Sequence, residues 1–355
     1  MSAPRHNPRI LVATPLELLR AEVAAIETFG AAIPRVVAKA AQLLVQVDAL
    51  EAPAAMILKQ ELLARGADAL ISPAVYLGDR DATTDALIFA SLRALRETSQ
   101  RLALFPLPAL QVLGAELAEL LAGYERGRAG ELPLAGELAT RGQRTLIVGD
   151  GAEGSDLLWV EQERAGAPGP LLGGPPVIAA TGRAELARAA LDAGAALLAD
   201  PSGLRLPDGG WNQALLELAA AREAALLVCA DLPADGDVAA GLLAALRPAL
   251  AEAERAGVAP GRLLAGVRLR VAAGRAQIGQ LLRRLEALLA LGCPLLLDIA
   301  ALPPDPPRDT ALITLAAGAG VDLIRVADPA AGRAAARAAD ALARGARPAA
   351  VTPTT

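Results

Sequence analysis

Residues 176–205, PVIAATGRAELARAALDAGAALLADPSGLR, read as strand, helix and strand, and this unit decides the fold. PVIAAT (176–181) and ALLAD (196–200) are short uninterrupted apolar runs, as expected of strands covered on both faces. The amphipathic stretch AELARAALDAGA between them supplies cover and is long enough to return the chain for parallel pairing. Working outward, TLIVG (145–149) and DLLWV (156–160) precede this unit. ALLVCA (225–230), RLLAGVRL (262–269), PLLLDIA (294–300) and DLIRVA (322–327) follow it. NQALLELAAAREA, VAAGLLAALRPALAEAERAG and QIGQLLRRLEALLALG carry helical periodicity between the later runs. Eight strands alternating with helices predict an α/β chain closed into a (β/α)8 TIM-like barrel, with an open doubly wound sheet as the alternative. The first two β-α units are abbreviated: six residues separate TLIVG from DLLWV, too few for a crossover helix. The first two helices are therefore expected to be missing or replaced by coil.

A smaller N-terminal α/β domain is expected ahead of the barrel. RILVA (9–13) reads as a strand, and TPLELLRAEVAAIETFG as a helix with Thr14 as its cap, Pro15 in its first turn and Glu17 three residues after the cap. AQLLVQVDAL (41–50) alternates like a strand. Pro53 then opens the helix PAAMILKQELLARG, and Gly66 stops it. The stretches from Thr84 to Leu102 and from Pro108 to Gly123 carry helical periodicity. The resulting division is a domain over 1–124, a linker over 125–143 where Gly, Pro and mixed charge mingle, the barrel over 144–347, and a disordered tail over 348–355.

Composition removes whole classes of chemistry. His6 is the only histidine, and Lys39 and Lys59 are the only lysines. From residue 60 onward a histidine base, a Schiff-base or P-loop lysine and a histidine-ligated metal are excluded, leaving arginine and carboxylates. A net charge of -5 offers no basic field for nucleic acid or anionic lipid, so neither partner is expected. No apolar stretch reaches membrane-spanning length and no secretion signal opens the chain; a soluble, cytoplasmic protein is the expectation. With 54% hydrophobic and only 2% aromatic residues, the interior must be filled by Ala, Leu and Val. Cys229 and Cys293 lack metal-ligand spacing and read as buried free thiols.

The predicted C-terminal strand ends carry Asp150, Glu161, Asp200, Asp231, Asp298 and Asp328. Function in a barrel is built on that face, so these acids read either as a polar mouth for a cationic ligand or divalent metal, or as helix caps and rim. Asp200 with Ser202 has the look of a turn. Asp298 lies inside an apolar strand with no local partner. Arg325 is placed to pair with Asp298 or Asp328, and Arg268 and Arg270 alternate within one strand. Trp159 and Trp211 read as packing or loop residues, and the prolines of LPPDPP (302–307) predict a rigid extended segment at the mouth.

The chain resembles the longer bacterial form of dihydropteroate synthase. APAAMILKQELLARGADALIS, TTDALIFASLRAL and LALFPLPALQVLGAELAELL are similar to the extra domain ahead of that family's barrel. TGRAELARAALDAGAALLADPSGLR resembles its third and fourth barrel strands, AEAERAGVAPGRLL the approach to the sixth, LLRRLEALLALGCPLLL the seventh, and AAGAGVDLIRVADP the eighth. The resemblance implies condensation of a dihydropterin pyrophosphate with p-aminobenzoate. It implies a pterin held by buried carboxylates, an amide and a lysine, and pyrophosphate held by Arg and His on the last strand. Most of these positions are replaced. The third-strand Asp falls on Ala180, next to a retained Thr181, and the fourth-strand Asn on Ala199, next to a retained Asp200. The fifth-strand Met-His-Met falls on Cys229, Ala230 and Asp231, and the sixth-strand Asp on Gly266. The seventh-strand lysine falls near Leu302 and the last-strand His on Ala327, while Arg325 is kept; the metal-binding Asn falls near Val148.

The expectation is thus a dihydropteroate-synthase-like chain with no catalytic set and no metal set, serving a binding, regulatory or assembly role. The alternatives are an active synthase with an atypical site and another pterin or folate barrel enzyme such as a methyltransferase. Asp150, Thr181, Asp200, Asp231, Arg268, Asp298 and Arg325 are the pocket candidates. No cofactor is expected, magnesium entering only with retained synthase activity. The expected partners are a pterin-like small molecule and either a second copy or an intact synthase, paired through the late barrel helices.

Overall fold

The computed structural model describes residues 19–20, 23–24, 30–79, 81–126, 131–134, 144–161, 174–271 and 273–344. It divides into two compact units, Met1–Leu121 and Ala122–Thr355. The strand expected at 9–13, most of the helix after it, most of the linker and the C-terminal tail lie outside the described residues.

The first unit is built on a three-stranded antiparallel sheet in the order β1-β3-β2, with β1 Gln42–Glu51, β2 Asp68–Leu70 and β3 Thr83–Ser91. The helix Ala52–Leu63 starts at Pro53 and ends as expected: Gly66 takes the left-handed conformation (φ +70°), letting the Ala67 N–H reach back to the Leu62 carbonyl. Lys59, on this helix, is engaged by Asp68 and the Ala69 carbonyl. The helical reading of Thr84 to Leu102 is corrected. Thr83–Ser91 is a strand whose Thr84, Ala86, Ile88 and Ala90 face inward, and the helix spans only Leu92–Leu102. The period changes from two to 3.6 at Ser91, whose hydroxyl accepts the Ala94 N–H and caps the helix; averaging across that point hides the strand.

The second unit is a closed, all-parallel barrel in which β4 Leu146–Gly149, β5 Leu157–Glu161, β6 Val177–Ala180, β7 Leu197–Asp200, β8 Ala225–Asp231, β9 Leu263–Arg268, β10 Leu295–Asp298 and β11 Leu323–Arg325 follow one another and β11 returns to β4. All eight expected strands are present. Alternate side chains fill the barrel (Leu146, Val148, Leu157, Ile178, Leu197, Leu227, Leu264, Leu296, Leu323), while Ile147, Leu198, Leu226, Val267 and Ile324 pack outward beneath helices. Strands buried on both faces explain the uninterrupted apolar runs. No helix joins β4 to β5. The connection is a turn in which Asp156 accepts the Ile147 N–H and the Ser155 hydroxyl donates to the Gly151 carbonyl. The next connection, 162–173, lies outside the described residues. The outer face of β4 is nonetheless covered, because the helix Pro329–Arg344 packs on it and Asp340 accepts from the Thr145 N–H and hydroxyl.

LPPDPP is not an extended strap. Asp305 caps a helix over Pro306–Ala319 and both later prolines sit in its first turn, where a missing N–H costs nothing. Among the described residues no helix is long and apolar enough to cross a membrane.

Candidate functional site

Inward parity at the C-terminal ends of the strands brings two ionic clusters to the barrel mouth. In the first, Arg325 at the end of β11 reaches across its neighbours, donating from Nη1 to Asp298 Oδ2 on β10 at 3.0 Å and from Nη2 to Asp150 Oδ1 after β4 at 3.0 Å. Its guanidinium lies over the ring of Trp159 on β5, 4.4 Å from the ring centre, a favourable cation–π geometry. Asp298 is 2% exposed, so the carboxylate without a local partner in sequence has a partner one strand away. Asp328, the other partner considered for Arg325, instead caps the following helix by accepting the Ala331 N–H.

In the second cluster Arg268, at the end of β9, donates from Nη2 to the Pro201 carbonyl after β7 at 2.5 Å and pairs with Asp231 Oδ1, at the end of β8, at 2.8 Å. Arg270 donates its Nε to that same oxygen at 2.9 Å. Of the seven candidates, Asp150, Asp298 and Arg325 thus share one network, and Asp231 and Arg268 another. Thr181 and Asp200 serve turns: the Thr181 hydroxyl accepts the Arg183 N–H, and Asp200 Oδ1 accepts the N–H and hydroxyl of Ser202. Sequence reasoning missed Trp159 as a member of the mouth, and of the alternating Arg268 and Arg270 the structure places both there. Trp159 shares inward parity with Leu157, and parity at a strand's C-terminal end was the signal available for it.

Burial sets the direction of the shift for the two buried acids of the site. It pushes the Asp298 carboxyl up from its ordinary value, with Arg325, the Ala300 N–H and Arg268 pulling the other way. Burial likewise raises Asp200 against the bonds from Ser202 and Leu204 and the pull of Arg268. A carboxyl raised on folding makes the native state hold a proton that the unfolded chain releases. Its contribution to stability is full below the unfolded value near 3.8 and is lost as pH climbs through the folded value. Asp200→Asn does not titrate and keeps an oxygen for Ser202, so it should lessen the fall in stability between the unfolded and the folded values. Urea melts across the acid range check this, and a slope equal to the wild type refutes it.

Cys229 points into the barrel, where burial pushes its thiol up to about 12. Cys293 is buried as well. Neither is expected to react with a thiol reagent in the native state, and both should react on unfolding; a fast native phase would show that the barrel opens locally.

At the strand positions that the resemblance would assign to pterin-binding groups, the chain carries small residues. Ala180 and Ala199 line the barrel interior as methyl groups. At Gly266 a Cβ would stand 2.9 Å from Cys229 Sγ and 3.2 Å from a Leu227 methyl carbon, so no side chain fits there without movement. Leu302 is packed between strands and helices rather than set in the mouth. Val148, near which the resemblance places a metal-binding Asn, is fully buried among hydrocarbon. Among the described residues no group of three His, Cys, Asp or Glu comes together to hold a metal.

No protein-family model matches the chain, and no curated protein matches it in a sequence search. Solved structures do. The dihydropteroate synthase of Xanthomonas albilineans in complex with 7,8-dihydropteroate is 25% identical, with a TM-score of 0.50 over 60% of this chain and 98% of that one. The dihydropteroate synthase of Yersinia pestis with a pterine-sulfa conjugate is 19% identical, with a TM-score of 0.50 over 61% of this chain and all of that one. The solved structures that this chain resembles include these dihydropteroate synthases, and its barrel shares their TIM-barrel fold, one related to folate biosynthesis.

Proposed function

We propose that this chain is a catalytically inactive, cytoplasmic relative of dihydropteroate synthase that acts as a binding, regulatory or assembly subunit. The observation that carries the proposal is the state of Arg325, the one anion-binding residue of the resemblance that is retained. Two of its guanidinium nitrogens are paired with the chain's own Asp298 and Asp150 and the group is stacked on Trp159, so an incoming pyrophosphate competes with two carboxylates for it. The positions that would pair a pterin's donors are Ala180, Ala199 and Gly266, and the short β4–β5 turn stands where the family has a long catalytic loop. The same losses weigh against a pterin-dependent methyltransferase.

A synthase-deficient strain carrying this gene is expected to need added folate end products. Growth without them overturns the proposal.

An assembly role calls for a partner surface. The helices Pro306–Ala319 and Pro329–Arg344 pack together and leave Leu315 and Leu342 exposed. A dimer through these helices, with a second copy or with an intact synthase, is expected. Light scattering that finds a monomer at micromolar concentration, both alone and mixed with such a synthase, would remove this part of the reading.

A further inference from the structure

We propose that Arg268 and Arg270 form an oxyanion site, occupied at rest by the chain's own Asp231, which a carboxylate or phosphate group of a small molecule displaces. The inference concerns the same mouth as the proposed function but does not depend on catalytic inactivity. Neither arginine is carried by the resemblance, which places a Gly-rich turn on this segment.

The geometry of the pair is that of a half-filled site. A guanidinium presents five N–H groups in a fork that matches two oxygens of one anion. Here neither arginine makes a fork. Both converge on the single oxygen Asp231 Oδ1, Arg268 through Nη2 and Arg270 through Nε. Arg268 Nε is buried and makes no hydrogen bond. A tetrahedral phosphate or a free carboxylate can offer separate oxygens to the two cations; Asp231, tethered to β8, meets both through Oδ1 alone.

Mobility is distributed as an exchange requires. The Arg268 side chain is 11% exposed and anchored to the Pro201 carbonyl, so one wall of the site is fixed. Asp231 and Arg270 are about half exposed, at 47% and 51%, and can part without opening the core. Asp200 also attracts Arg268 but is sealed from solvent, bonded to Ser202, and makes no hydrogen bond to either arginine. Asp231 is therefore the carboxylate that leaves. Asp298 belongs with Arg325.

A tethered competitor lowers apparent affinity by the fraction of time it leaves the site free, so removing it raises affinity by the inverse of that fraction. Calorimetric titration of the full chain with sodium phosphate, and separately with sodium benzoate, distinguishes the two anion classes. Asp231→Asn keeps the size of the side chain and is expected to tighten at least one of them by about tenfold. Arg270→Gln should abolish that gain in the Asp231→Asn background and weaken binding in the wild type. Asp235→Asn makes the same change of charge four residues away, on an exposed loop, and should leave affinity where it was. Three results overturn the proposal: no gain with Asp231→Asn, an equal gain with Asp235→Asn, or affinity indifferent to Arg270→Gln. Each leaves the proposal of inactivity standing, because that is read by dihydropteroate formation and not by anion binding.

Discussion

Mixed with dihydropterin pyrophosphate and p-aminobenzoate, the purified chain is expected to form dihydropteroate no faster than buffer does. The magnitudes decide this. Each pterin donor buried without its acceptor costs about 1–3 kcal/mol. Ala180, Ala199 and Gly266 leave three such gaps, so the loss is roughly 3–9 kcal/mol, or about two to six powers of ten in affinity. Departure of pyrophosphate loses its His to Ala327 and its lysine to a Leu302 packed in the outer core. Losing one preorganised charge-stabilising donor lowers kcat by about 100- to 1000-fold. Arg325, the cation that the resemblance retains, must first give up Asp298 and Asp150. These factors act on different steps and compound. Restoring Ala180→Asp, Ala199→Asn, Gly266→Asp and Leu302→Lys together is also expected to fail, since point changes do not lengthen the β4–β5 turn. Chromatographic detection of dihydropteroate from the unmodified chain, above a control without protein, would overturn the reading.

The barrel was legible because its strands are buried on both faces, which writes them into sequence as runs such as LLAD and LLLD bounded by turn residues. The same physics hid β3. Its face alternates buried and exposed residues for nine positions and then passes without a break into the helix from Leu92, and the two periods blur. The mouth was half legible. Strand-end parity marks Asp150, Asp231, Arg268, Asp298 and Arg325 as candidates from position alone. Their pairing is a property of barrel closure: Arg325 meets Asp150 because β11 returns to β4, 175 residues away in the chain. Sequence showed Asp298 as a charge without a partner because its partner is set by register between strands, Asp298 opposite Arg325. Asp200 was readable as a turn because its partner, Ser202, is local.

Gly266→Asp, the change that would return the sixth-strand carboxylate, is expected to destabilise the barrel rather than repair it. The Cβ alone would stand 2.9 Å from Cys229 Sγ, closer than packed atoms sit, with the Leu227 methyl carbon 3.2 Å away on the same side. The carboxylate beyond it would enter an interior lined by Leu227, Cys229, Leu264 and Leu296, where the neighbouring cation, Arg268, is already held by Asp231 and the Pro201 carbonyl. Overpacking costs about 1–3 kcal/mol, and a buried unpaired charge about 3–5 kcal/mol. The charge term dominates, and together they predict a loss of roughly 4–8 kcal/mol. For a domain of this size that is a fall in Tm of on the order of 10–20 °C. Two variants separate the causes. Cys229→Ala in the Gly266→Asp background removes the collision and should recover the smaller steric share, while Gly266→Ala alone should cost only that share. Thermal melts of the set read both. A Gly266→Asp protein that melts within about 2 °C of the wild type would show a mouth with room and partners for an acid. The argument that its pterin site has been filled from within would then fail.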